Sequence, residues 1–368
     1  MNILIPYRQY GNIADHKEGM VNGGTERVID LLKENYESVH VLNFTDTDVA
    51  ERRVTELVAR KAAEIKADII LSNYYSTTLT VTLQKRIPNI PILCLIHVMA
   101  DSLPAEGFLK RAQGFIDNGG SIGMVSAAQH QNWNSFAARR GYPNLEVCGY
   151  VKPIPSTYNG PILEKKHRNF ADAITVGRSD RYKDPFCLHR RIQKMRRSKI
   201  DYDELHTCVY TNTTNQKDDY HKENDFSDMS DLCITHYNAP HAEIMENIRK
   251  SKVYVATGWG QMETYGIAVL EAYERGVPAL LISTKNEGAE RIMDDSRFYR
   301  IVKKSDSNET FVQAYRELAA LNDLELQELA TKTREQNTVA VWKNMMDDLL
   351  QKALSNHANK LSTTATLE

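Results

Sequence analysis

Two carboxylates, Glu263 and Glu271, are separated by seven residues in the segment Gly258 to Pro278, GWGQMETYGIAVLEAYERGVP. A helix starting near Thr264 would turn the unpaired amides of Thr264, Tyr265, Gly266 and Ile267 to one side, where they favour anionic oxygen. Glu263 would stand just before that start and Glu271 two turns on, placed to accept hydrogen bonds from sugar or ribose hydroxyls. The bland alternative is a helix with ordinary surface acids. A second segment, Val176 to Pro185 (VGRSDRYKDP), sets Arg178 and Lys183 five residues apart after an apolar run. Positioned cations suit a reaction whose leaving group gains negative charge, although alone they read as surface charges. Gly23 and Gly24 form a turn opening a helix, whose amides can approach phosphate or sugar; such a pair is also a common turn. His97 ends the apolar run Ile92 to Ile96 and Asp101 follows four residues later. Taken alone, His97 reads as a strand-end histidine satisfied by a loop carbonyl.

These residues need elements to hold them. Short apolar runs alternate with amphipathic stretches of helical length, the pattern of parallel sheets flanked by helices. In the first half the expected strands are residues 2–5, 38–42, 68–72, 91–96, 121–125 and 145–148, with helices over 25–36, 49–65, 77–85, 108–117 and 127–139. The stretch 150–170, with Pro153, Pro155 and Pro161, reads as a linker. Strands then resume at 171–176, 206–210, 232–235, 253–256, 279–282 and 298–301, with a helix over 185–197. The polar stretch 212–231 reads as an exposed loop. The last helix, 338–354, carries Trp342, Met346, Leu349 and Leu350 at helical spacing and needs a surface to pack on. The Ser/Thr-rich tail beyond it is expected to fray.

At 368 residues, with 42% hydrophobic and 26% charged residues, the composition is that of a globular protein of two domains and excludes fibrous and low-complexity classes. The formal charge of -2 gives no general attraction to nucleic acid or membrane. No apolar run approaches the roughly 20 residues of a membrane span. No basic region precedes a long apolar run at the start, so the expected location is cytoplasmic. The five cysteines form no C-x-x-C pair, so reduced thiols are expected and a zinc site is not. The D-x-D of Asp46 and Asp48 reads as a helix cap, and no catalytic metal is expected.

Over residues 263–278 the chain resembles the family-4-type retaining glycosyltransferases of the GT-B fold, whose signature is E-G-F-G-L-x-x-x-E-A-x-A-x-G-x-P. The resemblance implies that Glu263 contacts the transferred sugar, that Glu271 binds the nucleotide ribose, and that the backbone from Thr264 to Ile267 holds phosphate and sugar oxygens. Residues 176–185 are similar to the family's V-G-R-x-x-x-x-K-G-x, which implies that Arg178 and Lys183 neutralise the donor diphosphate. Asp184 stands where that pattern has glycine. By the same resemblance Gly23 and Gly24 approach the donor, His97 touches its sugar, Asp101 serves the acceptor, and His236 and Tyr237 lie at the base-binding turn.

The implied fold is α/β, with two Rossmann-like doubly wound domains facing a central cleft: an acceptor domain over 1–158, a donor domain over 159–337, and, over 338–368, a final helix crossing back to the first plus a frayed tail. The implied reaction moves a sugar from a nucleotide-diphosphate sugar, a UDP-sugar foremost, to a hydroxyl with retention of configuration and without a metal. The run His189 to Lys199 is dense in cations; such a run is usually a solvated helix face, and the other reading makes Arg190, Arg191, Lys194 and Arg197 available for phosphates. With a fainter resemblance to bacteriophage enzymes that glycosylate hydroxymethylated bases, it suggests double-stranded DNA as acceptor. Surface polysaccharide or glycolipid synthesis is the alternative. A nucleotide-sugar epimerase or a non-catalytic nucleotide-sugar-binding module remain open from other classes.

Overall fold

A computed structural model of the chain describes residues 1–8, 24–44, 51–72, 77–97, 99–100, 105–178, 183–198, 204–211, 224, 226–259, 265–283 and 295–365. The chain divides into two units, one built on Asn22–Pro155 with Val339–Glu368 and the N-terminal strand, the other on Ser156–Thr338.

Unit one alternates β1 (Ile3–Arg8), α1 (Gly24–Asn35), β2 (Val39–Phe44), α2 (Glu51–Glu64), β3 (Ile69–Ser72), α3 (Thr77–Arg86), β4 (Ile92–Ile96), α4 (Ala105–Asp117), β5 (Ser121–Met124), α5 (Ala127–Arg139) and β6 (Gly149–Tyr150). Its sheet has the order β2-β1-β3-β4-β5-β6, every pair parallel. Unit two contains β7 (Ala173–Val176), α6 (Cys187–Ser198), β8 (Thr207–Thr211), β9 (Cys233–Tyr237), α7 (His241–Arg249), β10 (Val253–Trp259), α8 (Ile267–Tyr273), β11 (Ala279–Ser283), β12 (Tyr299–Lys303), α9 (Asn308–Ala319) and α10 (Asp323–Gln336). Its sheet, also all parallel, runs β12-β11-β10-β7-β8-β9. Central strands such as β4 and β11 are buried at every residue, because helices cover both faces of a parallel sheet. That double burial is why they read as short apolar runs.

In each sheet the strand order reverses once, between β1 and β3 and between β7 and β10. Loops leaving the carboxyl ends of such strands part there and open a crevice, the usual ligand position in doubly wound sheets. The segment after β7 carries Arg178 and Lys183, and the segment after β10 leads to α8 with Glu271.

The final helix, α11 (Val339–Ala365), belongs to unit one. Its stripe of Trp342, Met346, Leu349, Leu350 and Ala353 is buried, and Leu349 lies over β5 and β6. A β-carbon on Gly123 would come within 2.7 Å of Leu349 Cδ2, and one on Gly149 within 3.0 Å of its Cδ1. The glycines therefore let the helix approach the sheet closely.

Four local expectations need correction. The sixth strand is at Gly149–Tyr150, not 145–148, because the Leu145 amide donates instead to Asn134 Oδ1 at 2.7 Å. The tail expected to fray is helical as far as Ala365, with the Ser362 and Thr363 hydroxyls donating back to carbonyls one turn earlier. The stretch taken as a linker is fastened to unit two from Ser156 onward: Ser156 Oγ and the Thr157 amide donate to Glu274, and Arg168 is 2% exposed. In the polar stretch 212–231 the described residues include Phe226 and Met229, both in the core of unit two; residues 212–223 and 225 lie outside the described ones.

Two predictions follow from this packing. Leu349→Ala leaves a cavity between α11 and the unit-one sheet and lowers unfolding stability by about 2–5 kcal/mol. Urea denaturation read by tryptophan fluorescence checks it, since Trp133 and Trp342 are both buried in unit one. In unit two, His189 is fully buried against the Phe226 ring, centroids 5.1 Å apart, and burial pulls its pKa down to about 4. The unfolded chain takes up this proton near pH 6.5, the native chain only near 4. Stability present above pH 6.5 is thus lost on acidification, by up to about 1.4 kcal/mol per pH unit. Hydrogen exchange in α6 and β8 should accelerate between pH 6.5 and 4.5 after correction for intrinsic rates, and His189→Leu should flatten the trend.

Candidate functional site

The unit-two switch point is assembled first by the loop from β7 to α6. Gly177 continues β7 with its amide bonded to the Tyr210 carbonyl at 3.0 Å, and Arg178 follows, exposed. The returning arm brings Lys183 back: its carbonyl accepts from Thr257 Oγ1 at 2.6 Å, across the strand reversal between β7 and β10. A β-carbon on Gly177 would touch Lys183 Cβ at 3.7 Å, so these two residues lie side by side.

Asp184, at the position where glycine was expected, adopts a glycine-like backbone, φ 44°. The left-handed region costs a side-chain-bearing residue about 1–2 kcal/mol, least for Asp and Asn. Its carboxylate, nearly enclosed, makes a short ion pair with Arg190 and another with Lys304 at 3.3 Å. The turn is therefore retained by charge pairing.

The loop after β10 is described only from Tyr265, so Glu263 and Thr264 lie outside the described residues. α8 begins at Ile267, three residues later than the sequence spacing suggested. Gly266 stands before it at φ 82°, and the amides of Val269 and Leu270 close the first turn on its carbonyl. Only glycine adopts that backbone freely. Tyr265 turns its side chain inward, 2% exposed, its hydroxyl donating to Asn337 Oδ1 at 3.0 Å. Glu271 is 6% exposed, and His241 Nε2 lies 3.2 Å from its Oε1. His241 was not singled out by the sequence patterns. The only signal was a second histidine and a proline just beyond the turn, in His236-Tyr237-Asn238-Ala239-Pro240-His241.

At that turn Asn238 has φ 53° and its amide donates to the Thr211 carbonyl at 2.9 Å. His236 stacks on Tyr210, ring centroids 4.6 Å apart and planes 12° apart, while Tyr237 is 43% exposed. The Tyr210 hydroxyl donates to Glu243 at 3.1 Å, so the platform under His236 is itself held.

In unit one, His97 follows β4. α5 grips the chain on both sides of it: Gln129 Nε2 donates to the Ile96 carbonyl at 3.0 Å and the Ala100 amide donates to Asn132 Oδ1 at 2.9 Å. Burial pulls the His97 pKa down to about 4, so at neutral pH the ring is uncharged. A neutral imidazole can bond a hydroxyl, but at that pKa it is a weak proton acceptor. Gly24 is the first residue of α1; Gly23, Asp101, Asp46 and Asp48 lie outside the described residues.

The cationic run on α6 is divided. Arg191 is buried and donates to the carbonyls of Lys303, Lys304 and Asp306, at 2.9, 3.2 and 3.2 Å. Arg190 bonds Asp184 and, at 2.6 Å, Asn224. Arg191 therefore serves the fold and Arg190 the loop behind Lys183, whereas Lys194 and Arg197 are exposed. Among the described residues no cluster of three or more His, Cys, Asp or Glu is arranged to hold a metal, and no helix is long and apolar enough to cross a membrane.

No family model matches the chain, and no curated protein matches it by sequence. Solved structures do match in fold. Sucrose-phosphate synthase from Thermosynechococcus elongatus aligns at TM-score 0.68 and 14% identity, covering 99% of this chain and 100% of its own. Anabaena HepE in complex with UDP-glucose aligns at 0.64 and 12%, covering 95% and 100%. A UDP-forming α,α-trehalose-phosphate synthase from Burkholderia xenovorans aligns at 0.63 and 14%, covering 96% and 100%. The chain thus has the GT-B architecture over nearly its whole length; at such identities the likeness speaks for fold alone.

The account of the Asp184 turn is tested by two substitutions. Asp184→Ala loses the ion pairs and keeps the strained backbone; Asp184→Gly loses the ion pairs and relieves it. The alanine variant should be less stable than the glycine variant by about 1 kcal/mol in urea denaturation. Equal stabilities would show that the backbone conformation contributes nothing.

Proposed function

We propose that this protein is a glycosyltransferase that takes its sugar from a nucleotide-diphosphate sugar, with a UDP-sugar as donor, and passes it to a hydroxyl. The observation that carries this reading is the pairing, at one switch point of one sheet, of a cationic loop and a nearly buried carboxylate. Arg178 and Lys183 follow β7, and Glu271 lies on the helix that follows β10. Support comes from fold neighbours whose structures hold UDP or UDP-glucose.

In this reaction the bond between the anomeric carbon and the diphosphate oxygen breaks, and its electron pair leaves with the diphosphate. Arg178 and Lys183 stabilise the charge that develops there, more in the transition state than before it. Glu271 accepts hydrogen bonds from the nucleotide ribose, and Glu263 and the backbone around Gly266 hold the sugar and phosphates. The acceptor oxygen attacks the face that the diphosphate leaves, so configuration is retained. Its proton passes to the departing phosphate oxygen or to Asp101, because His97, uncharged and weakly basic, is suited to bonding a sugar hydroxyl. No metal is assigned a part.

For the acceptor, the basic run that favoured hydroxymethylated DNA keeps Lys194 and Arg197 on the surface, while Arg190 and Arg191 are engaged within the fold. DNA is therefore one arm of the test beside glycan and lipid hydroxyls.

Nucleotide release should be followed from a panel of UDP- and GDP-sugars, with and without hydroxymethylated DNA, with product configuration read by NMR. UDP-sugar turnover is expected to persist in EDTA. Arg178→Ala should lower kcat by about a hundredfold or more. Stimulation by DNA that falls steeply with salt would identify DNA as acceptor. Conversion of donor into an isomer without nucleotide release would instead favour an epimerase. UDP binding without turnover of any donor would mean a binding module.

A further inference from the structure

The turn between β9 and α7 delivers a side chain to Glu271 that no sequence pattern assigned. Asn238, left-handed at φ 53°, reverses the chain, Pro240 stands as the cap, and His241 is the first residue of α7. Its Nε2 is 3.2 Å from Glu271 Oε1, with the histidine side chain 39% exposed and the glutamate 8%. An ionised carboxylate can only accept, so in this pair the imidazole nitrogen carries the proton and donates. The bond orients the carboxylate through its Oε1.

We propose that His241 is a positioning residue for the nucleotide, holding Glu271 by Oε1 so that the carboxylate meets the ribose hydroxyls of a nucleoside diphosphate in one fixed orientation. The proposal rests on the glycosyltransferase reading, in which Glu271 binds the ribose. α7 and α8 lie against one another, and each has a buried apolar set, Ile244, Met245 and Ile248 on α7 and Val269, Leu270 and Ala272 on α8. The two backbones are therefore fixed, and the hydrogen bond settles only the last torsions of the glutamate. A carboxylate released from it would still be buried, and would lose affinity by rotating away from the diol. The cations that meet the diphosphate lie in the loop after β7, on a different element. Loss of the His241 bond should accordingly weaken nucleotide binding more than it slows the chemical step.

The test compares wild type with His241→Phe, which keeps the ring's bulk without the N–H, and with His241→Gln, which keeps an N–H donor. UDP affinity is read by calorimetry, and kcat and donor KM by nucleotide release. His241→Phe is expected to weaken UDP binding and raise donor KM about tenfold, as for the loss of a hydrogen bond to a charged group, with kcat changed less than threefold. His241→Gln should recover most of the affinity. In a Glu271→Ala background, His241→Phe should have no further effect, because the two residues then share one contribution. Equal UDP binding by wild type, Phe and Gln variants, a loss confined to kcat, or full additivity with Glu271→Ala would overturn the role of His241 and leave the functional reading standing. Failure of the wild type to bind UDP would overturn that reading, and this inference with it.

Discussion

The buried carboxylate of Glu274 is the interaction on which the shape of unit two depends. Its side chain is 3% exposed, and such a charge persists only where donors surround it. Ser156 Oγ, at 2.5 Å, and the amides of Thr157 and Tyr158, at 3.1 and 3.3 Å, all donate to Oε2, while Arg275 pairs with Oε1. These donors come from the first residues of the unit, and Glu274 caps the end of α8. The entry of the chain and the site helix are thereby held to each other. Around the same turn the guanidinium groups of Arg275 and Arg334 both approach the Tyr158 ring, at 4.3 and 5.0 Å, and Arg168 donates to the Gly276 carbonyl at 2.9 Å. Gly276 has no alternative there: a β-carbon would fall 2.7 Å from the Leu326 carbonyl, and its φ is 70°.

The end of the unit is fastened to the same place. The Asn337 side chain accepts from the Tyr265 hydroxyl, and its carbonyl accepts from the Ser156 amide at 2.6 Å. Tyr265 immediately precedes Gly266, so the loop before α8 is joined to both ends of the unit, and the end of α8 to its beginning. The segment 263–278 therefore has two parts with different work. Its first part carries the candidate chemistry, and its second, Glu274 to Gly276, is an internal clamp at the end of the helix that bears Glu271. Orientation within fractions of an ångström decides much of what a positioned group contributes to catalysis, so the clamp is as much a part of the site as the groups it holds.

What could be read from the sequence follows the same division between local and distant causes. Among the described residues, eleven of twelve strands lie where apolar runs placed them, because a parallel strand covered on both faces has a composition of its own. The stripe on α11 was legible for a similar reason, as periodicity is a local property. The bonds to Glu274 were not legible, since Ser156 and Glu274 are 118 positions apart and nothing local to either announces the other. So the prolines of 150–170 suggested a free linker where the chain is fastened down. His241 escaped notice for the same reason: what distinguishes it is a neighbour 30 positions away on another helix. Charge runs mislead similarly. Arg191 and Lys194 read alike in composition, yet α6 turns one into the core, over the Phe311 ring at 5.4 Å, and the other to solvent.

Asp184 shows how a departure from a pattern can be absorbed by its surroundings. Between Lys183 and α6 the backbone is left-handed at residue 184, a conformation glycine adopts with no side chain to accommodate. Aspartate is among the residues that tolerate this backbone best, and here its carboxylate has two cations within reach. One of them, Arg190, belongs to the run that first suggested a polyanion partner; in the fold it secures the loop bearing Lys183. A phosphate drawn to the same arginine would compete with Asp184, the residue that follows Lys183. The arrangement therefore sets any anionic contact through Arg190 against its pairing with Asp184, whereas Lys194 and Arg197 are exposed on the same helix.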